Sequence, residues 1–227
     1  MVKFSSAANN TKLRKLAEFL AIPYAHIAIF DLPAGYTCPG ANICKSYANR
    51  TTGRITDGKN SKIRCYAASN EALYKNVRYL RWSNYDSLRD KPKNDMVQLI
   101  LGAIPKNCKI IRLHASGDFF SLDYFQAWVI VAQQRPDIVF YGYTKVLHAI
   151  LTIKPTNFHL IYSHGGIDDT AANLLKIPQV YIVNNEAPPI PIICNKIDEY
   201  MDYLYILEGK SFSIRLHGTQ RAKDKIK

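Results

Sequence analysis

The stretch His26-Ile-Ala-Ile-Phe-Asp-Leu32, followed at once by Pro33-Ala-Gly-Tyr-Thr-Cys-Pro-Gly-Ala-Asn-Ile-Cys44, decides the fold. An apolar run of this length without alternation reads as a strand buried on both faces, the mark of a parallel sheet. The segment behind it, rich in glycine and proline, reads as an exposed loop at the carboxyl end of that strand. Outward from here, further strands are expected over residues 109–114, 138–143, 158–162 and 179–183, with apolar segments at 203–207 and 211–216 closing the chain. Helices are expected over residues 69–83, 94–103, 122–134 and 169–175. The third of these stops at Arg135-Pro136 because a residue before proline is driven out of the helical region. Apolar strands separated by helices are βα units around a parallel sheet, and about six fit this chain. The expectation is an α/β protein with a partial (β/α)6 barrel-like parallel sheet and a cysteine loop after its first strand. It forms a single domain, residues 1–227, with a basic, cysteine-containing insertion at about 38–93.

Parallel sheets gather their chemistry at the carboxyl ends of the strands. Those ends carry Cys38, His114, Asp118, Lys145, His164, Asn184 and Asn185, while the opposite ends carry plain turn residues. Cys38, Cys44 and Cys65 follow the spacing C-x5-C-x20-C, which is not the paired C-x2-C of a zinc ribbon and leaves the type of metal site open. Thiols idle in the core are the alternative, but an exposed glycine-rich loop is a poor place for them. Cys108 stands before its strand, at the opposite rim, and reads as structural. Cys194 follows the 184–193 segment leaving the functional rim and could be a fourth ligand; four thiolates would close the site, three would leave one iron available.

The 227 residues carry a net charge of +12, unevenly spread. Residues 38–93 hold twelve Lys and Arg against four acids, a net +8, interleaved with Tyr47, Tyr66, Tyr74, Tyr79, Trp82 and Tyr85. Cations beside flat rings suit phosphates and bases, and Arg64, Arg78, Arg81, Tyr74 and Trp82 are the candidate nucleic-acid contacts. Along the helix at 69–83, Leu73, Val77 and Leu80 are expected to form the buried stripe, with Lys75, Arg78 and Arg81 exposed. The amino terminus has no signal-peptide core and no apolar run long enough to span a bilayer, so the expected setting is the cytoplasm and not a membrane. An odd number of cysteines in a reducing compartment argues against a disulfide framework and toward metal binding.

At the rim, Asp118 after a glycine suits a general base or a ligand of a divalent cation; the competing role, capping the next helix, can fall to Ser121. Lys145 suits a phosphate clamp or a cation facing the transition state, and His114 and His164 suit acid, base or ligand roles.

The strings Cys38-Pro-Gly-Ala with Cys44, Arg112-Leu-His-Ala-Ser-Gly-Asp-Phe-Phe-Ser121 with Tyr124 and Trp128, Phe140-Tyr-Gly-Tyr-Thr-Lys145 and His217-Gly-Thr-Gln220 resemble the phage "gene product 88" family along nearly the whole chain. That resemblance implies a phage or mobile-element origin more firmly than an activity. A weaker resemblance is to the radical S-adenosylmethionine enzymes, whose partial barrel also has a cluster-binding cysteine loop directly after its first strand. This chain departs from them in lacking C-x3-C-x2-C and in carrying Ser116-Gly-Asp118 where they have Gly-Gly-Glu. The expected function is an iron-sulfur protein, with a 4Fe-4S cluster or alternatively zinc, acting on nucleic acid as a nuclease or modifying enzyme. The alternatives are a non-catalytic nucleic-acid-binding or redox-sensing module and a radical S-adenosylmethionine-like enzyme.

Overall fold

Ile27–Phe30 forms strand β2 and all four of its residues are buried, as the unbroken apolar run requires. A computed structural model describes residues 1–183, 189–190, 192–194 and 200–216. The other strands are β1 (Ser5–Ser6), β3 (Ser46–Ala48), β4 (Ile55–Asp57), β5 (Ile110–Leu113), β6 (Val139–Thr144), β7 (Phe158–Ser163), β8 (Gln179–Val183), β9 (Ile192–Cys194) and β10 (Phe212–Arg215). The helices are α1 (Thr11–Phe19), α2 (Tyr66–Leu73), α3 (Lys75–Leu88), α4 (Lys93–Ala103), α5 (Leu122–Gln134), α6 (Leu147–Leu151), α7 (Asp169–Leu174) and α8 (Met201–Leu207). One eight-stranded sheet runs β1-β2-β5-β6-β7-β8-β10-β9; β1 pairs antiparallel with β2 and every other described pairing is parallel. A separate antiparallel hairpin, β3–β4, lies in the long β2-to-β5 connection.

Side-chain alternation along the strands sorts the core onto two faces. Phe30, Ile111, Leu113, Phe140 and Phe158 pack with Met96, Val97 and Ile100 of α4 and with Tyr124, Trp128 and Val131 of α5. Ile27, Ile29, Ile110, Tyr141, Ile161, Val180 and Phe212 pack with Leu13, Leu16 and Ala17 of α1 and with Tyr203 and Ile206 of α8. Toward the carboxyl ends of the strands this second face opens into a cavity of about 540 Å³.

Several expectations are corrected here. Among the described residues the sheet holds seven parallel strands, not six, and no pairing closes it into a barrel. Residues 203–207, an apolar segment whose type the sequence left open, lie in helix α8, since a short apolar run has no periodicity that separates a strand from a buried helix. The helix expected over 69–83 is broken at Tyr74, whose backbone is extended (φ −116°, ψ 99°). The break turns α3 so that Arg78 and Arg81, each 4% exposed, point inward while Leu73 is exposed. Among the described residues no helix is long and apolar enough to cross a membrane.

Candidate functional site

The cysteine loop is clamped onto the strand-end turns. Asn42 and Ile43 amides donate to Gly165 O, the Ile167 amide donates to Gly40 O at 2.9 Å, and Ala41 bridges Gly166. Gly40 is needed for this approach, since a Cβ there would stand 2.2 Å from Lys145 O. Gly117, at φ +83°, lets the turn after β5 touch the loop; a Cβ there would meet Thr37 Oγ1 at 2.6 Å. Behind the loop, fully buried Glu71 accepts from the Ala34 amide (2.8 Å), Arg81 Nη1 (3.0 Å) and Ser116 Oγ (3.3 Å). Arg81 also donates to Ala67 O and reaches Asp31, so one buried guanidinium ties α2, α3 and the end of β2 together.

That scaffold turns Cys38, Cys44 and Cys65 toward the cavity. Cys65 stands at the N-cap of α2, where the amides of Ala67 and Ala68 favour its thiolate, and its own amide donates to Ser46 Oγ at 3.2 Å. Burial, then the charge of Cys44, nevertheless pushes the Cys65 thiol up to about 11. Cys38 is pushed well above the ordinary range by burial, then by Asp118, Cys65 and Cys44. Without a cation these two groups are thiols at neutral pH, and a metal would release their protons. None of the described cysteines is in a disulfide, and Cys108 is buried at the start of β5, remote from the cavity. Among the described residues no three His, Cys, Asp or Glu side chains converge as ligands of a single ion.

Cys194 ends β9 at the far edge of the sheet, with five strands between it and β2. Along the sheet that is about 29 Å at ~4.8 Å per strand. The Cys194 side chain, like Asn184, Asn185 and His217, lies outside the described residues.

The rim residues are near one another and internally engaged. Ser121 caps α5 by accepting from the Tyr124 amide, which frees Asp118 from that task. Asp118 accepts instead from Thr144 Oγ1 (2.6 Å), the Lys145 amide (2.8 Å) and its neighbour Phe119 (2.8 Å), locking the β5 turn to the end of β6. Burial raises the Asp118 carboxyl in spite of these donors. Lys145 Nζ spends its three protons on Ser163 O, Ser163 Oγ and His164 O. His114, at φ +55°, has Nε2 2.9 Å from Tyr124 Oη and burial lowers it to about 3, so it is neutral. His164 is partly exposed, with Nε2 3.4 Å from Asp169. Cys38, Cys44, Cys65, Arg64, Arg81, His114, Asp118 and Lys145 all line the cavity; His164 does not.

The basic face differs from the expected one. Arg78 donates to the carbonyls of Arg50, Glu71 and Thr51, and Trp82 is buried against Tyr36 with the Arg50 guanidinium over its ring. Arg78, Arg81 and Trp82 therefore present nothing to a solvent-borne polymer, because carbonyl and carboxylate acceptors inside the fold engage the terminal nitrogens of both guanidinium groups. Arg64 pairs with Asp57 at 2.8 Å, and Tyr74 is 58% exposed. Arg50, Arg54, Lys59, Lys62, Lys75, Arg89 and Lys91 are the exposed cations of this segment.

Sequence reasoning passed over Arg112, Tyr143 and Lys12, which also line the cavity. A signal for the first was available: Arg112 is a lone cation inside the apolar strand Ile110-Ile-Arg-Leu113.

Fold and site together define an α/β protein with three thiols facing one cavity at the carboxyl ends of a mostly parallel sheet. A sequence profile of the Gene product 88 family matches residues 3–219, and the chain belongs to that family. It is similar to the Gene 88 protein of Mycobacterium phage L5, 36% identical over 160 residues that cover 62% of this chain and 67% of that protein. It is also similar to the Gene 88 protein of Mycobacterium phage D29, 33% identical over 111 residues, 44% of this chain and 46% of that protein. No solved structure matches the chain.

Proposed function

We propose that this phage protein binds an iron-sulfur cluster through Cys38, Cys44 and Cys65 and acts on nucleic acid in the host cytoplasm. The observation that carries the reading is the convergence of three free, electrostatically coupled thiols on one cavity from separate parts of the chain. The donor set fits: soft sulfur ligands, with two helix amides aimed at one of them. Three thiolates suit a cluster, which takes each of them on a different iron. When bound, the cluster supplies electron transfer or an open iron. Around it, Asp118 and Gly117 hold the wall at β5 and β6, and α3 with Arg81 holds Cys65 in place. A partial barrel is the finer form of the fold in this reading. Its support is that residues following β2 and residues of β10 line the same cavity, although four strands separate them.

Nucleic acid as partner is supported by the net charge of +12 and by exposed Lys59, Lys62, Lys75 and Tyr74 in the connection that carries Cys65. A nuclease or modification reaction remains the enzyme form of the proposal, and a redox-sensing module its non-catalytic form. The resemblance to radical S-adenosylmethionine enzymes rests on the position of the cysteine loop alone.

Anaerobic purification with iron, sulfide and zinc analysis tests the cluster. The expected result is a brown protein with broad absorbance at roughly 400 nm, as thiolate-bound iron clusters give. Cys38→Ala, Cys44→Ala and Cys65→Ala each lose the iron, Cys108→Ala keeps it, and Cys194→Ala reports whether a fourth thiolate is used. Stoichiometric zinc without iron overturns the cluster. For nucleic acid, affinity falls steeply with salt, with a log-log slope of roughly −0.7 to −0.9 per phosphate contact; no binding at low salt removes that partner.

A further inference from the structure

Arg112 is the cavity's unexplained charge. It sits mid-strand in β5, between Ile29 of β2 and Tyr141 of β6 in the sheet register, with its side chain lining the cavity. It is 7% exposed, and Nε is buried with no hydrogen-bond partner. Among the described residues no hydrogen bond or ion pair reaches any part of the guanidinium; its near neighbour is the Tyr143 ring, 5.7 Å from Cζ. The carboxylate on this side, Asp202, acts on the guanidinium through space, as Tyr141 and Tyr66 do, but makes no hydrogen bond to it; its Oδ2 is engaged by Lys12 and by Tyr143 Oη. Other cations at the cavity are spoken for: Lys12 by Asp202, Arg64 by Asp57, Arg81 by Glu71 and Asp31, and Lys145 by Ser163 and His164, and Arg215 too is not without a partner. A buried guanidinium with no hydrogen-bonding acceptor is costly even where a charge acts on it through space, and proteins rarely keep one unless something else supplies the acceptors.

We infer that Arg112 is the anchor for a small oxyanion, a carboxylate or a phosphate group of a ligand held in the cavity beside the three thiols. The guanidinium fork matches the two oxygens of either group, and the apolar walls given by Ile29, Val180, Ile182 and Ile214 make room for the uncharged remainder of a small molecule. A strand position keeps the fork rigid, so little entropy is lost on binding. This goes beyond the cluster reading and does not depend on it, because the anion is held by the Arg112 guanidinium on β5 and not by the thiols.

The test is thermal unfolding of the whole protein as purified, titrated separately with inorganic phosphate and with acetate, potassium chloride holding the ionic strength constant. At about a hundredfold excess over Kd, a bound anion raises Tm by roughly 5 °C or more for a chain of this size. The expected result is a saturable rise with one of the two probes, which also tells phosphate from carboxylate. Arg112→Gln abolishes that rise, while its Tm without anion equals or exceeds wild type and its iron content is unchanged. Arg112→Lys keeps the charge but not the fork, and weakens binding at least tenfold. Three results would each overturn the inference: no saturable rise in wild type with either probe, a full response in Arg112→Gln, or an Arg112→Gln protein that unfolds earlier or fails to fold. Loss of iron with an intact anion response would instead count against the cluster alone.

Discussion

Replacing Arg81 by alanine strips the charge partner from two buried carboxylates. In the wild type, Nη1 lies 3.0 Å from Glu71 Oε1 and 2.9 Å from Ala67 O, and Nη2 lies 3.5 Å from Asp31 Oδ2. Glu71 is fully buried and its second oxygen already lacks a partner, so no water shell takes over when the guanidinium goes. Breaking a buried pair from one side costs about 3–5 kcal/mol, and at ~2–4 °C per kcal/mol for a chain of this length the Tm falls by about 10 °C. The penalty depends on pH in a fixed direction. Burial raises the Glu71 carboxyl above its ordinary value of 4.5 while Arg81 pulls it down, so removing Arg81 raises it further. A carboxyl that is raised in the folded state favours folding when protonated, so the variant regains stability as pH falls. Urea unfolding at pH 7.5 and pH 5.5, with Lys75→Ala as an exposed control, measures both effects. The control stays within about 0.5 kcal/mol of wild type. A loss under 1 kcal/mol in Arg81→Ala, or a loss equal at the two pH values, refutes the reasoning and returns Arg81 to the surface role that its helical spacing suggested.

Asp118→Asn exchanges a carboxylate accepting three hydrogen bonds for an amide that turns an NH2 toward a backbone N–H; unfolding should show a loss of about 1–3 kcal/mol, and unchanged stability would count against the strand-end lock. Gly40→Ala forces a Cβ toward Lys145 O, so it should destabilise by more than 1 kcal/mol and speed proteolytic nicking of the cysteine loop, whereas Gly102→Ala, with open space around it, should be stabilising by a few tenths of a kcal/mol or more. His114, held near 3, should show no change in its imidazole NMR shifts between pH 8 and pH 4.5. Since the unfolded chain protonates this histidine near 6.5, its contribution to stability is complete above that pH and is lost as pH falls toward 3; a titration midpoint near 6.5 in the folded protein would contradict its burial.

The parallel sheet, the loop behind β2 and the ends of α5 were legible in the sequence because their causes are local. An unbroken apolar run, a serine at the cap and a proline two residues past the helix end act on their own neighbours. The rim was legible too, since strand polarity alone puts Cys38, His114, Asp118 and Lys145 at one end. What those side chains do there came only from the tertiary structure. Asp118 and Lys145 are spent on partners 18 to 27 residues away, and Arg81 reaches inward to Asp31 across 50 residues of chain. Helical spacing treats arginine as a surface residue, and it cannot register a carboxylate that another segment brings to meet it. Short apolar runs were undecided for a related reason: residues 203–207 form a helix, and Ile192–Cys194 an edge strand, according to which strands lie beside them. Arg112 shows the division within one side chain. The sequence marks it as a cation where an apolar residue belongs, and only the packing of β2, β5 and β6 leaves its guanidinium in the cavity wall with no hydrogen-bonding acceptor among the described residues.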